Sequence, residues 1–296
     1  MTWNRHDRMD RPTRPALRAA RVLLGALVLL GIAASPALAD MPGDVPDRWR
    51  LTLGGMAADT FTEGGLGSTT AGIGATINFE DVFDLPEDKS IWRFEANWHI
   101  NKRQYIDFGY FELNRSGSRI LEQDVEWGDF VFLANGKVTA DFKSSFPYAA
   151  WRYDFLQLPE VRISGSAGIN YLTLETGLKA SGSVEDLNGM PVSGAVDERV
   201  SISFPVPQIG LQLDWALTRR LAVKMYVRQI YIDFAGINGG IGETAFRLHW
   251  WCSKHFGISG GLDKESIDLK KYTSGDTTAR FRYEVRGFSF YLNLAF

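Results

Sequence analysis

The feature that most constrains this chain is a strict alternation of apolar and polar side chains over long stretches. In residues 91–100 every second residue is apolar or small, and Arg93, Glu95 and His99 lie between them. A period of two is that of a β-strand, whose successive side chains point to opposite faces. The alternating stretches run for about 10 to 17 residues, against the 5–6 usual in soluble sheets. The sequence therefore predicts an all-β protein whose strands are apolar on one face and ionic on the other.

Short and long connections alternate along the chain. The short polar turns are residues 101–103, 158–160, 218–220 and 253–255. The long connections are residues 58–89, 115–141, 177–200, 235–241 and 270–279. This asymmetry is typical of transmembrane β-barrels, which have short periplasmic turns and long outer loops. We therefore predict a closed antiparallel transmembrane β-barrel of about ten strands, at residues 48–57, 90–100, 103–114, 142–156, 160–176, 201–217, 220–234, 242–252, 255–269 and 279–296.

The strand count depends on one segment. Residues 69–79 also alternate, but a full span there would move the turn at 101–103 to the outer side. We assign this segment to the first outer loop, as a hairpin above the membrane. Eight or twelve strands stay open if one pair is assigned wrongly. A soluble periplasmic barrel is disfavoured, because its outward face would be polar.

The amino-terminal residues predict export. Residues 22–34 are apolar, follow six arginines and precede the small-residue pair Ala37 and Ala39. Thirteen residues are too few for a membrane-spanning helix, which needs about 20. The pattern is that of a cleaved signal peptide, so the predicted division is residues 1–39 as the signal and 40–296 as the barrel domain. The single cysteine, Cys252, excludes a disulfide scaffold,. A formal charge of −3 gives no basic surface for nucleic acid,.

Tryptophan placement supports the barrel independently. Five indoles from different segments fall at or near the predicted periplasmic strand ends, where a headgroup layer suits both the ring and its N–H. These predicted interface aromatics are Trp49, Trp98, Trp151, Trp215 and Trp250.

The chain ends on an alternating strand with a terminal aromatic residue, carried by Phe290, Leu292, Leu294 and Phe296. This resembles the last strand of small bacterial outer membrane β-barrel proteins, the broad group of OmpA transmembrane domains, OmpW and OmpX. The resemblance implies a place in the bacterial outer membrane and contact with its lipids and lipopolysaccharide. It also implies that these four residues form an assembly signal for the barrel assembly machinery.

Strand parity directs many charged residues into the lumen. Two interpretations stay open: a salt-bridged interior filled by side chains, as the small barrel size favours, or a narrow polar pore. The predicted lumen network is Arg93, Glu95, His99, Asp107, Arg152, Asp154, Arg162, Asp214, Lys224, Arg228 and Arg247, with Arg50, His249 and Asp263 on the same face.

The residues for catalysis are poorly placed. An omptin-like protease needs a His–Asp pair at the extracellular rim, whereas His99, His249 and His255 lie near predicted periplasmic turns. No hydrolase or metal-binding motif occurs,. We therefore predict a non-enzymatic barrel without metal or cofactor and with a structural, adhesive or surface-binding role. A narrow channel for small solutes and an outer membrane hydrolase are the alternatives. The loops at 115–141 and 177–200 are either binding surfaces or simple cover, and the oligomeric state stays open.

Overall fold

The structure is a computed structural model that describes residues 48–68, 74–127, 129–182, 184–234, 237–272 and 277–296. The predicted signal peptide lies outside these residues and stays a prediction. In the part of the chain described, no helix is long and apolar enough to span a membrane.

Strands account for nearly all of the regular structure. The elements in chain order are β1 (Trp49–Ser68), β2 (Gly74–Asn78), α1 (Phe79–Phe83), β3 (Asp88–His99), β4 (Gln104–Ile120), β5 (Val125–Trp127), β6 (Phe130–Phe132), β7 (Lys137–Ser145), β8 (Tyr148–Gln157), β9 (Val161–Ser181), β10 (Val184–Asp186), β11 (Ala195–Ala216), β12 (Leu221–Phe234), β13 (Ile237–Trp251), β14 (Phe256–Tyr272) and β15 (Thr277–Ala295).

The strands close into an antiparallel barrel. β7 and β8 together occupy one place in the wall between β4 and β9, with an interruption at Pro147, which has no N–H to donate,. The ring closes where β15 pairs with β1, and Trp49 and Phe296 exchange N–H···O bonds of 2.9 Å there. The predicted all-β barrel of ten strands is therefore confirmed, and β2 folds back on β1 as the predicted hairpin.

The strands extend further outward than predicted. β9 runs to Ser181 and β11 begins at Ala195, so much of the predicted loop at 177–200 is strand. The predicted loop at 115–141 is also partly strand, because β4 ends at Ile120 and β7 begins at Lys137.

The polarity of the wall reverses along the barrel axis. Near the periplasmic end the outward side chains are apolar, and Leu211 is 56% exposed while the inward Arg247 is 0% exposed. Farther out, Leu172 and Leu178 point inward and are fully buried, while Lys179 points outward. The longest apolar outward stretches, at residues 49–57 of β1 and 161–171 of β9, have the length that crosses a membrane,. The lower barrel is therefore built for lipid, and its upper extension has an apolar core and a polar surface.

The outer connections fill the barrel mouth. α1 begins at its N-cap Asn78, which accepts from the Asp81 N–H at 2.9 Å, and it buries Phe79 and Phe83 in the upper core. Arg115 was predicted in a surface loop, and that prediction is wrong. It lies inside, 2% exposed, with Nη1 2.5 Å from Glu80 Oε1.

A small sheet of β5, β6 and β10 joins the same core. Its residues Val125, Phe132 and Val184 are buried there. The segments predicted as outer loops are therefore packed into the mouth, and the interpretation of them as simple cover is wrong for these residues.

Closure between the first and last strands is directly testable. In a Cys252→Ala background, Leu53→Cys with Leu292→Cys should form an intramolecular disulfide under mild oxidation, because these outward residues are register partners,. Non-reducing electrophoresis of the denatured chain would detect the cross-link. The control is Leu53→Cys with Leu294→Cys, a diagonal pair about 7–8 Å apart. Equal cross-linking of both pairs would contradict the register.

Candidate functional site

The predicted lumen residues all lie on the inward face of their strands. Most of them are buried, so side chains occupy much of the interior. Buried are Arg93, Glu95, Asp107, Arg152, Asp154, Arg228 and Arg247, and half-buried are His99, Arg162, Asp214 and Lys224.

Arg247 is the centre of the interior network. Its guanidinium donates two bonds of 2.9 Å to Asp263 on the neighbouring strand β14, and Nη1 donates to Glu95 Oε1 at 2.9 Å on the far wall. Nη2 also meets the hydroxyls of Tyr226 at 3.0 Å and Tyr291 at 3.2 Å. Such a bidentate, charge-assisted arrangement is the strongest kind of side-chain pairing. Arg247 therefore ties β13 to β3 across the lumen.

A second cross-lumen contact lies just above. Arg93 on β3 donates to Glu243 on β13, and its Nε lies 2.9 Å from Glu95 Oε1. Arg228 Nη1 donates to the other oxygen of Glu243 at 2.9 Å, and its guanidinium stacks over the Tyr148 ring at 4.5 Å. Arg93 and Arg228 share the Glu243 carboxylate, so this level of the interior is held from both walls. We call it the Arg247 layer, and it consists of Arg247, Asp263, Glu95, Arg93, Glu243 and Arg228.

The periplasmic part of the interior is a separate cluster. Arg152 Nε donates to Asp107 at 2.8 Å, and Asn97 donates to the same carboxylate at 2.8 Å. Asp154 accepts from Tyr105 at 2.9 Å and from Ser164 at 2.7 Å.

The remaining predicted residues complete this end. Asp214 on β11 has Arg162 and Lys224 as its register partners on the two neighbouring strands. His99 makes an edge-to-face contact with Tyr105, with ring centroids 4.5 Å apart. The predicted lumen set is thus divided between this cluster and the Arg247 layer.

Several interior residues were missed by the sequence prediction. Glu243 lies four residues before Arg247 on the same face, and Glu265 lies two residues after Asp263. Counting parity through the whole strand would have placed both in the lumen. Tyr226 and Tyr291 follow the same parity but were not considered, because the sequence prediction examined only charged and histidine side chains.

The predicted interface aromatics all point outward near the periplasmic end. Trp49, Trp98, Trp151 and Trp215 are exposed and Trp250 is half-buried, and the rings of Trp49 and Trp98 stack with centroids 6.0 Å apart. On the closing strand, four exposed side chains form an outward row: Phe290, Leu292, Leu294 and Phe296. Their recognition by assembly machinery stays a prediction.

Above the apolar band, the outer wall carries ion pairs. Arg280 donates to both oxygens of Asp268, at 3.1 and 2.7 Å, and this contact lowers the pKa of the Asp268 carboxyl,. Elsewhere on the outer wall, burial and, to a smaller extent, a hydrogen bond with Asp88 raise the pKa of the Asp59 carboxyl. Because the pKa of Asp268 is lowered, this carboxylate stays ionised and paired with Arg280 at any pH above the ordinary Asp pKa. The pair is lost as the pH falls below that value.

The three histidines of the described residues all lie at the periplasmic end of the barrel. His99 and His249 lie inside near the periplasmic end, and His255 lies in a periplasmic turn, where Nδ1 is 2.9 Å from the Ala295 carbonyl oxygen. Across the described ranges, no group of three or more histidine, cysteine, aspartate or glutamate residues is placed to hold a metal ion.

The geometry has a counterpart among solved structures. The chain is similar to the outer membrane protease OmpT from Escherichia coli, with a TM-score of 0.51, 11% identity, and coverage of 85% of this chain and 98% of that one. The fold is that of an outer membrane β-barrel. At this identity the likeness shows the fold alone.

Two further outer membrane β-barrels overlap less well. The P. putida toluene transporter TodX has a TM-score of 0.38 and 8% identity, covering 88% of this chain and 94% of that one. The attachment invasion locus protein Ail of Yersinia pestis has a TM-score of 0.28 and 8% identity, covering 83% and 99%. No family model and no curated protein matches the sequence of this outer membrane β-barrel.

The interior network should carry a large share of stability. Arg247→Ala leaves Glu95 and Asp263 buried without their main partner, and we expect a loss of about 3–5 kcal/mol in the free energy of unfolding. Arg199→Ala is the matched control, because Arg199 also makes several ion pairs but its side chain is 43% exposed, and exposed pairs contribute about 0–1 kcal/mol. Denaturant titration of both refolded variants would measure the difference, and equal losses would contradict the central role of Arg247.

Proposed function

We propose that this outer membrane β-barrel does not conduct along its axis and acts as a structural, surface-binding protein through its extracellular extension. The observation that carries the proposal is the reversal of polarity along the wall. A chain that only had to cross the membrane would need about 9–11 residues per strand. β9 has 21 residues and β11 has 22, and the excess forms a second, apolar core.

The closed interior supports a non-conducting role. In the lower barrel, the charges of the Arg247 layer are paired with one another and buried. Above them, Phe142, Phe146 and Tyr283 pack ring against ring, with centroids 5.6 and 6.5 Å from that of Tyr283. α1 closes the mouth over these rings. A continuous water path would leave such side chains exposed, so the geometry favours the filled lumen over the narrow pore.

The outer wall of the extension supports contact with the lipopolysaccharide layer. Lys179 lies 3.0 Å from Asp141, and Arg199 lies 2.6 Å from Glu175, on the outward faces of β7, β9 and β11. These charges lie directly above the apolar band, at the level of phosphorylated headgroups. Both signs are present, which suits a layer made of phosphates and cations.

A non-enzymatic role is part of the proposal. The extracellular mouth holds α1 and the small sheet, and the described histidines lie at the opposite end. A general base of the kind that hydrolysis at the cell surface needs is therefore not supplied by histidine there.

Conductance tests the seal. Refolded into planar bilayers, the barrel should show no stable unitary steps, while a porin measured in the same membranes gives them. Phe79→Ser with Phe83→Ser weakens the packing of α1 in the barrel mouth but leaves the Arg247 layer intact. This variant should therefore also show no conductance. A steady wild-type conductance whose ion selectivity changed in Arg93→Gln or Arg152→Gln would support the channel alternative and contradict the proposal.

Surface labelling tests the display of the extension. In a Cys252→Ala background, Ser193→Cys lies in the outer connection before β11 and should react with a membrane-impermeant maleimide on intact cells. Lys102→Cys, in a periplasmic turn, should react only after the outer membrane is opened. Both residues are exposed, so a difference in reaction reports the side of the membrane. The reverse pattern would overturn the orientation.

A further inference from the structure

The barrel wall splits between two neighbouring strands. β11 and β12 pair from Ala216 and Ala222 up to Ile209 and Gln229, and the pairing ends there. Both strands continue outward, β11 with β9 as its partner as far as Ala195 and β12 with β13 as far as Phe234. A cleft therefore opens between two strands that are each held firmly on their other side.

Two prolines explain why pairing ends at this point. Tyr171 on β9 donates its N–H to Pro147 on the β8 side. N–H groups alternate sides along a strand, so the N–H of the neighbouring Asn170 faces β11, where Val206 is its register partner,. Pro205 and Pro207 alternate with Val206, and their nitrogens face β12. Proline has no N–H to donate, so β11 offers β12 no donor at these two positions just above Ile209.

The cleft begins at the level of the outer leaflet. With a rise of about 3.3 Å per residue and a tilt of about 40°, each residue climbs about 2.5 Å along the membrane normal. Ile209 lies six residues above Trp215, which places the end of pairing about 15 Å above the tryptophan ring in a band about 25 Å tall. Ile209 is 66% exposed. The mouth of the cleft therefore faces lipid.

A cavity of about 20 Å³ lies directly behind the last pair. Val206 and Gln208 of β11 and Arg228 and Gln229 of β12 line it from the two sides of the split. This volume suffices for one water-sized group. A lipid-like molecule whose hydrocarbon tail lies along the cleft can therefore place one small polar headgroup inside the cavity.

The cavity contains hydrogen-bonding groups that the protein leaves unused. Among the described residues, the Tyr148 hydroxyl and Gln208 Nε2 are buried without a partner, and Gln208 is only 4% exposed. Glu265 lines the same cavity and is also buried. Leaving such buried groups unpaired destabilises the protein. These unpaired groups point to a ligand that forms hydrogen bonds with them.

The chemistry of these groups selects a hydroxyl head. Gln208 and Tyr148 offer donors, while Glu265 offers an acceptor, and a hydroxyl both accepts and donates. An ammonium head cannot accept, and a carboxylate head cannot donate. The two cations at the cavity, Arg93 and Arg228, are both paired with Glu243, so an anionic head finds no unpaired cation among these lining residues.

We propose that the cleft between β11 and β12 admits a neutral single-chain amphiphile from the outer leaflet, whose hydroxyl head occupies the cavity while its tail stays against lipid. The site is independent of the axial seal, because it opens through the wall. Conductance therefore tests the proposed function without bearing on this site.

Photolabelling tests the site in the intact barrel. The full mature chain in lipid nanodiscs is labelled with 1-decanol that carries a diazirine in its tail, and labelled peptides are identified by mass spectrometry. We expect label concentrated on the β11 and β12 segments around the split. Unlabelled 1-decanol should compete at least tenfold better than decane, decanoate or decylamine. Label spread evenly over the lipid-facing strands, or equal competition by decane, would overturn the proposal.

A crossed pair of tyrosine variants separates binding from stability. Tyr148→Phe removes only an unpaired hydroxyl, so it should reduce labelling about tenfold and leave the unfolding midpoint unchanged or higher. Tyr226→Phe is the matched control, because the Tyr226 hydroxyl is bonded to Arg247 and Glu243 and Tyr226 does not line the cavity. It should lower the midpoint and leave labelling unchanged. Unchanged labelling in Tyr148→Phe would also overturn the proposal.

Discussion

The whole structure depends on the rule that backbone N–H and C=O groups inside a membrane must find partners within the protein. The rule requires the last strand to return to the first, as Phe296 does to Trp49. It also determines where the wall is free to open. β11 and β12 part only above Ile209 and Gln229, within the outer-leaflet part of the lipid-facing wall. Pro205 and Pro207 are tolerated at that height because their missing donors face an unpaired edge.

Because the outward face of the barrel meets lipid, the charged side chains point inward. The small radius of the barrel then brings them into contact with one another. A barrel of this size is filled by side chains, and a buried charge without a partner is costly. Arg247 satisfies both conditions at once, because it pairs with Asp263 on the adjacent strand and with Glu95 on the opposite wall. Contacts across the lumen depend on the stagger of all ten strands. They therefore favour one register of the ring over others of the same local pairing.

Much of the fold follows from the sequence, because the period of two is a local property. Parity alone puts Arg247 and Glu95 in the lumen, and the short turns give the strand count. Their contact across the barrel is not a local property, since it depends on stagger. The upper extension was missed for another reason. There the apolar face turns inward and the outward face becomes polar, so strand residues around Arg115 and Lys179 looked like loop.

The cavity behind the split lies where these two kinds of interior meet. Its lining joins the charged layer, through Arg93 and Glu243, to the apolar core, through Phe111 and Ile241. Charged side chains need partners at fixed distances, whereas apolar side chains need close contact in any direction, so a boundary between them packs less completely than either layer. The prolines of β11 place an opening in the wall at this same height. A polar head and an apolar tail match the two sides of such a boundary, and for that reason an amphiphile suits it better than a solute of uniform polarity.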